Sequence, residues 1–166
     1  LPFAGLARVG FIAIQMLQSL VKLGVFTDAD KEAFIKSVAT VNKELAVDKI
    51  RLDKACFLEK YGHLRPGTYE VCNFRYDETP DVYFNWDKST TNIEQIEIFR
   101  PNDLQIESVE ALLSSSGLQI SAKEFFDFIK VGVEMRESAK FWFSRNLSLA
   151  ISIIEKIGFD CGISRD

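Results

Sequence analysis

A chain of 166 residues with 47% hydrophobic and 27% charged residues can bury one core, which excludes general disorder and predicts a single domain over residues 1–166. Its net charge of −4 disfavours a general nucleic-acid surface. Three widely spaced cysteines predict neither a disulfide framework nor a structural zinc site, and they favour a reducing, cytoplasmic location.

The first predicted element is an amphipathic helix near the N-terminus. Its apolar residues recur at three- and four-residue steps, at Leu6, Val9, Ala13, Met16 and Leu20. Gly24 is placed to end this helix, since glycine is common just beyond a helix terminus. Polar residues interrupt the apolar run between 11 and 20, so the run predicts neither a membrane span nor a signal peptide.

Two further helices are predicted before residue 63. Thr27, with Asp30 three positions on, resembles a capping box. The helix that it opens is expected to carry one apolar stripe, formed by Phe34, Val38, Val41 and Leu45. Asp53 is a candidate N-cap of a short third helix that ends at Gly62.

A long irregular loop is predicted between about residues 63 and 100, because no apolar period continues there. Loops of this length in a compact domain are often functional. Candidates for short strands within it are Tyr69, Val71, Tyr83 and Trp86. The small polar residues 89–91 predict a mobile tip.

The helical pattern returns at about 107–114, and Ser121 with Glu124 forms a second capping-box signature. This signature opens the longest element, predicted over about 122–157 without a proline. The sequence therefore predicts a mainly α fold: a helical bundle organised around one long C-terminal helix, with a long irregular central loop.

Charged residues interrupt the apolar pattern of the long helix. A helical wheel predicts one stripe that contains Phe125, Ile129, Val133, Phe143, Leu147 and Ile154. Arg136 and Lys140 fall within that stripe, whereas Glu137 and Arg145 lie further round. Because an unpaired buried charge is costly, both cations must find anions or reach solvent.

Two interpretations of these cations stay open. In the one that we favour, Arg136 and Lys140 pair with carboxylates of the central loop. In the other, they bind an anionic or polar ligand beside His63 and Arg65. The candidate network, structural or acceptor-binding, comprises His63, Arg65, Glu70, Asp77, Glu78, Arg136, Glu137, Lys140 and Arg145.

The single histidine, His63, lies in a loop segment with two glycines and a proline. Histidine can act as a base, a metal ligand or a phosphate carrier. The sequence shows no recognisable nucleophile motif and no second histidine. We therefore favour a structural histidine, bonded to backbone or to a carboxylate, and predict no catalytic residue and no metal site. The chain also lacks a phosphate-binding glycine loop, so we expect it to bind no cofactor.

Six short motifs are spread over nearly the whole chain: PFAGLAR at 2–8, FLEKYGH at 57–63, RPG at 65–67, RYDE at 75–78, RESAKF at 136–141 and SRNLS at 144–148. Together they resemble the intermediate region of phosphoenolpyruvate-synthase-like proteins. That group includes relatives of pyruvate phosphate dikinase and rifampicin phosphotransferases.

The resemblance implies a larger protein, from which we expect these 166 residues to be an excised, inactive piece. In such proteins an ATP-grasp domain uses ATP and Mg to phosphorylate a histidine on a swivelling domain. That histidine then passes phosphate to an acceptor such as pyruvate or a rifamycin. The implied partners are the flanking ATP-grasp and phosphohistidine domains and a small-molecule acceptor, with no nucleic acid and no membrane.

Two features depart from the family pattern. His63 is not in the Thr/Ser-x-His-type setting of the phosphocarrier histidine, so that role is not carried over. Residues 64–70 differ from the usual loop of the rifamycin-modifying subgroup, so rifamycin binding is not carried over either. What the resemblance implies is a central domain that helps to form the acceptor pocket.

Two other classes of function compete with this one. A free-standing helical protein-interaction module would use exposed aromatic residues, for which Trp86, Phe141 and Trp142 are candidates. A small independent enzyme would use His63 with Glu70 or Asp77. We also expect some self-association, through apolar surfaces that neighbouring domains would otherwise cover.

Overall fold

The computed structural model describes residues 2–87 and 98–165. Within these ranges the chain forms seven helices and no strand, which confirms the mainly α fold with its long C-terminal helix. In chain order the helices are α1 (Pro2–Lys22), α2 (Asp28–Ser37), α3 (Val41–Arg51), α4 (Lys54–Tyr61), α5 (Pro80–Tyr83), α6 (Asp103–Ser115) and α7 (Ala122–Asp160).

The described residues cluster into two compact units. Unit 1 contains residues 2–40 and 98–139, and unit 2 contains residues 41–87 and 140–165. Helix α7 runs through both, contributing residues 122–139 to unit 1 and residues 140–160 to unit 2. Each unit has its own apolar core.

Unit 1 is built on helix–helix packing. Its buried side chains come from four helices, the turn after α1 and the residue after α2, and they are Ala13, Leu17, Leu20, Phe26, Phe34, Val38, Val109, Leu113, Ala122, Phe125, Ile129 and Val133. Helices α1 and α7 approach closely where glycines remove a side chain. A Cβ added at Gly10 would lie 2.7 Å from the Cβ of Arg136, and one at Gly132 would lie 3.2 Å from the Cβ of Ala13.

The caps predicted from local spacing are present. Gly24 follows α1 with φ 74°, the left-handed conformation that glycine adopts at helix ends. Thr27 and Asp30 form the reciprocal capping box of α2. Asp53 caps α4 by accepting from the amide of Cys56, and Ser121 pairs reciprocally with Glu124 before α7.

Helix α1 meets the length and hydropathy that a membrane span requires, over Phe3–Lys22. Core helices meet the same criterion, so this is weak evidence for a span. Ala13, Leu17 and Leu20 of α1 are no more than 4% exposed in the core of unit 1.

The predicted second helix is wrong in its extent. Helix α2 ends at Ser37, Val38 takes an extended conformation (φ −74°, ψ 136°), and α3 begins at Val41. The expected stripe therefore divides. Phe34 and Val38 belong to the core of unit 1, whereas Val41 and Leu45 pack in unit 2.

Unit 2 has an aromatic core of Phe57, Tyr61 and Phe141. The described part of the central loop wraps this core through turns and the short helix α5. The candidate strand positions are not in strands: Tyr69 and Val71 are exposed, Tyr83 ends α5, and Trp86 packs on Phe57. The tip predicted at residues 89–91 lies outside the described residues.

The single apolar stripe predicted for α7 is correct only in unit 1. Phe125, Ile129 and Val133 are buried, but Phe143 and Ile154 are 42% and 61% exposed. In unit 2 the buried positions of α7 are Phe141, Ser144, Ser148 and Ile151. The buried face changes because residues 140–160 pack on a different core from residues 122–139.

Candidate functional site

His63 follows the C-terminus of α4 and is 6% exposed. Its ring packs edge-on against Phe141, with the ring centroids 4.8 Å apart. Its Nε2 lies 3.3 Å from the carbonyl oxygen of Phe141, and because that oxygen can only accept, Nε2 carries the proton. The buried Nδ1 has no hydrogen-bond partner among the described residues. Burial lowers the pKa of His63, so the neutral imidazole is favoured.

Arg65 is buried to the same extent, at 6% exposed, and its hydrogen bonds to the described residues all go to neutral oxygens. Its Nη1 donates to the carbonyls of Glu70 (3.4 Å) and Asn73 (3.1 Å). Its Nη2 donates to the hydroxyls of Ser148 (3.3 Å) and Ser152 (3.4 Å) on α7. The guanidinium therefore ties the central loop to the helix. Burial lowers its pKa, and the nearby carboxylates of Glu78 and Glu155 oppose that effect.

The loop around Arg65 has its own internal bonds. Gly67, at φ 65°, allows the turn in which the amide of Glu70 bonds the carbonyl of Gly67 at 2.9 Å. The side-chain amide of Asn73 donates from Nδ2 to the carbonyl of Pro66 at 2.7 Å. These bonds present the carbonyls of residues 70 and 73 to the guanidinium, so the loop and Arg65 order each other.

The acidic residues of the central loop bind arginines of unit 2. Asp77 makes two bonds to Arg75, at 2.9 and 2.5 Å. Glu78 accepts from the backbone amide of Arg75 at 2.8 Å and lies 3.6 Å from Nη2 of Arg165. Arg165 also pairs with Glu155 of α7, and its guanidinium lies 4.0 Å from the Phe74 ring centroid. Two arginines, Arg75 and Arg165, thus bind three carboxylates, those of Asp77, Glu78 and Glu155.

Among the described residues, Arg136 and Lys140 do not make the pairs with central-loop carboxylates that the sequence predicts. Arg136 pairs with its neighbour Glu137 at 2.9 Å and lies over the Phe11 ring in unit 1. Lys140 is exposed. The physical reason is the change of buried face along α7: position 136 is only half-buried, and position 140 faces solvent.

Five of the nine predicted residues lie in the central loop of unit 2, and two others lie in unit 1. His63, Arg65, Glu70, Asp77 and Glu78 all lie in the central loop of unit 2, whereas Arg136 and Glu137 form their own pair in unit 1. Arg145 donates to the carbonyl of Glu59 at 3.1 Å, which ties α7 to α4.

Sequence reasoning missed several participants. Ser148 and Ser152 lie four residues apart, on the face of α7 that also carries Ser144, and this polar spacing was a usable signal. No local signal pointed to Arg165, because its partner Glu78 lies in the central loop and its partner Glu155 lies in α7.

A second missed group surrounds the buried Tyr61. Its hydroxyl donates to Asp48 at 2.8 Å, and Lys60 pairs with the same carboxylate at 2.6 Å. Burial raises the pKa of Tyr61 to about 12. The hydrogen bond from Lys60 is the main cause that lowers the pKa of Asp48.

The arrangement is better suited to holding a loop than to catalysis. His63 is almost inaccessible, and neither Glu70 nor Asp77 accepts a hydrogen bond from its ring nitrogens in the described residues. The described residues contain no group of three His, Cys, Asp or Glu side chains that could hold a metal ion. The small-enzyme hypothesis therefore gains no geometric support.

An open surface depression lies beside this region, lined by consecutive residues 81–87. Lys54 pairs with Asp81 at its edge and lies over the ring of Trp86. One short segment forms the whole lining, so the depression lacks the convergent groups of a ligand site.

No family model, no curated protein and no solved structure matches the chain.

Proposed function

We propose that this chain is the central, acceptor-side helical domain of a phosphoenolpyruvate-synthase-like, ATP-dependent phosphotransferase of the cytoplasm, and that it is inactive in isolation. The proposal rests on the resemblance of the six motifs. ATP and Mg would be handled by an ATP-grasp domain, and phosphate would be carried by a separate phosphohistidine domain.

One observation carries the proposal: motif segments that are far apart in sequence touch within unit 2. The amide of Asp77 bonds the carbonyl of Gly62 at 3.2 Å, which joins the RYDE motif to the FLEKYGH motif. His63 of the FLEKYGH motif contacts Phe141 of RESAKF. Arg65 of the RPG motif contacts Ser148 of SRNLS, so both motifs of α7 are contacted. Five of the six motifs thus contribute residues to one cluster, as expected of a family signature, and PFAGLAR lies in unit 1.

Within this proposal the buried pair of His63 and Arg65 positions the loop, and an acceptor would contact exposed polar groups beside it. Glu70 and Lys140 are exposed and adjoin residues of the cluster. Glu70 follows the turn that Arg65 holds, and Lys140 precedes Phe141 on α7. We assign these two side chains to the rim and no catalytic role to His63.

The test uses the protein encoded by the complete reading frame, incubated with Mg-ATP. We expect acid-labile phosphohistidine to form, and to be lost when the correct acceptor is added; pyruvate and a rifamycin are the first two to try. The 166-residue chain alone should consume no ATP. Steady ATP hydrolysis by this chain, or no phosphohistidine on the complete protein, would contradict the proposal.

Variants sharpen that assay. Arg65→Lys should slow transfer to the acceptor while leaving phosphohistidine formation unchanged, because Arg65 orders the acceptor-side loop. Arg51→Lys, an exposed arginine of the same unit, is the matched control and should change neither step. Equal effects of the two variants would argue against an acceptor-side role for the loop.

A second candidate is a free-standing helical protein-interaction module. The aromatic groove expected for it is largely wrong, since Phe141 is 9% exposed and Trp86 packs on Phe57 and Phe84. What favours this candidate is the exposed apolar surface of α7, where Trp142 is 60% exposed. A stable, specific complex with an unrelated protein, formed through that surface, would favour the module.

A further inference from the structure

The second half of α7 carries exposed apolar side chains on the side opposite its buried face. Phe141, Ser144, Ser148 and Ile151 are the positions that pack inward. At about 100° per residue, a second set projects in roughly the opposite direction. Its members and their exposed fractions are Trp142 (60%), Leu149 (56%), Ile153 (52%) and Ile157 (58%).

We call these four residues the outer strip of α7. Their spacing of seven, four and four residues places them along one line over about four helical turns. Scattered exposed apolar residues need no explanation, but apolar residues aligned on one helix face, here with Asn146 on the same line between Trp142 and Leu149, are typical of an interaction surface.

We propose that the outer strip pairs antiparallel with the outer strip of a second copy of this chain. In an isologous dimer the same patch lies on both subunits, so the strip must be complementary to itself. An antiparallel pair centred near Ile153 places the Leu149 turn of one copy against the Ile157 turn of the other. Apolar residues then face apolar residues from Leu149 to Ile157, and Trp142 lies beyond this paired segment.

The charges at the two ends of the strip are also complementary in this orientation. Arg145 lies eight residues before Ile153 and Asp160 lies seven residues after it, and both are exposed. The antiparallel pair brings the Arg145 end of each copy beside the Asp160 end of the other. A parallel pair would instead place each charge beside its own kind, which is unfavourable. The helix dipoles of an antiparallel pair attract each other, so they also favour this orientation.

The strip is smaller than a standard stable interface, which buries about 800 Å² on each partner. The dimer is therefore in equilibrium with the monomer, and its population depends on protein concentration. The inference does not depend on the proposed phosphotransferase function.

The first test is sedimentation equilibrium of the chain over a wide range of concentrations. We expect a reversible monomer–dimer equilibrium that Ile153→Asp weakens at least about tenfold, since the charge would lie at the centre of the pair. Val82→Asp is the matched control: Val82 is an exposed apolar residue of unit 2, 78% exposed and outside α7. A chain that stays monomeric throughout, or two variants with equal effect, would overturn the proposal.

Orientation is tested by exchange of the end charges and by cross-linking. Asp160→Lys should weaken the dimer, and adding Arg145→Asp to it should restore association. In a background with the three native cysteines changed to serine, Ile153→Cys should form a disulfide between copies and Val82→Cys should not. Lack of rescue together with lack of cross-linking at 153 would reject the antiparallel pair even if a dimer forms.

Discussion

The ionisation of His63 should be visible in the stability of the protein. Burial lowers its pKa below the ordinary value of 6.5, so the unfolded chain binds a proton more readily than the folded one. Stability therefore falls as the pH is lowered through the ordinary pKa and towards the folded one. No other histidine complicates this window.

We expect the free energy of unfolding to decline from pH 7 to pH 5 in the wild type and to decline less in His63→Gln. Urea denaturation at several pH values measures both. The carboxylates whose pKa is lowered, among them Asp30 and Asp48, lose their stabilising effect only at lower pH. Parallel pH profiles of the two proteins would show that His63 is not held in its neutral form.

Arg65 should be sensitive to a change that keeps its charge. Lysine has no planar fork and cannot reach two loop carbonyls and two serine hydroxyls together. We expect Arg65→Lys to lower the free energy of unfolding by about 2 kcal/mol, the scale of a lost hydrogen bond to a charged group. The exposed control Arg51→Lys should stay within about 0.5 kcal/mol. Similar denaturation midpoints for both variants would contradict the role given to Arg65.

At the scale of single residues, the sequence indicated the loop around His63 but not the hydrogen bonds that its residues make. The concentration of constrained and polar residues around His63 was visible in the printed sequence. The partners of Arg65 were not, because Ser148 and Ser152 lie more than 80 positions away and become neighbours only through folding. The prediction that Arg136 lies in a buried stripe was incorrect because a helical wheel assumes that one face is buried along the whole helix.

At the scale of elements, the contact of α1 with α7 depends on small residues. Gly5 and Gly10 both lie in α1, but a Cβ at Gly5 meets nothing within 4 Å, whereas one at Gly10 would lie 2.6 Å from Cδ and 2.7 Å from Cβ of Arg136. Both changes to alanine add the same helix propensity, about 1 kcal/mol. Their difference therefore isolates the packing cost.

We expect Gly5→Ala to be neutral or stabilising and Gly10→Ala to be less stable than Gly5→Ala by about 1–3 kcal/mol, the usual cost of overpacking. Thermal unfolding of the two variants with the wild type measures that difference. If Gly10→Ala were the more stable of the two, the close approach of α1 and α7 would be refuted.

Helix ends were predictable where their signal is local. Thr27, Asp53 and Ser121 are N-caps because a short polar side chain reaches an amide two or three residues on, and that spacing can be seen in the sequence. The same spacing in Asn102 and Gln105, which form the capping box of α6, was overlooked. The break between α2 and α3 has neither glycine nor proline, since residues 38–40 are Val, Ala and Thr. The break follows from packing instead, because Val38 is buried in the core of unit 1 and Val41 packs in unit 2.

At the scale of the whole molecule, apolar periodicity and capping signatures predicted a helical fold, but composition did not reveal its division into two compact units. Apolar content and period are similar on both sides of residues 40 and 139, so no linker signal marks the change. The outer strip of α7 was likewise not predicted, because apolar residues on the exposed side of a helix look in sequence like buried ones.

The most direct test of the central proposal is the coding sequence on either side of the segment that encodes these residues. We predict an ATP-grasp domain upstream and a glycine-rich phosphohistidine domain downstream in the same reading frame. A reading frame that opens just before Leu1 and stops just after Asp166 would contradict the phosphotransferase assignment and leave the interaction module as the better account.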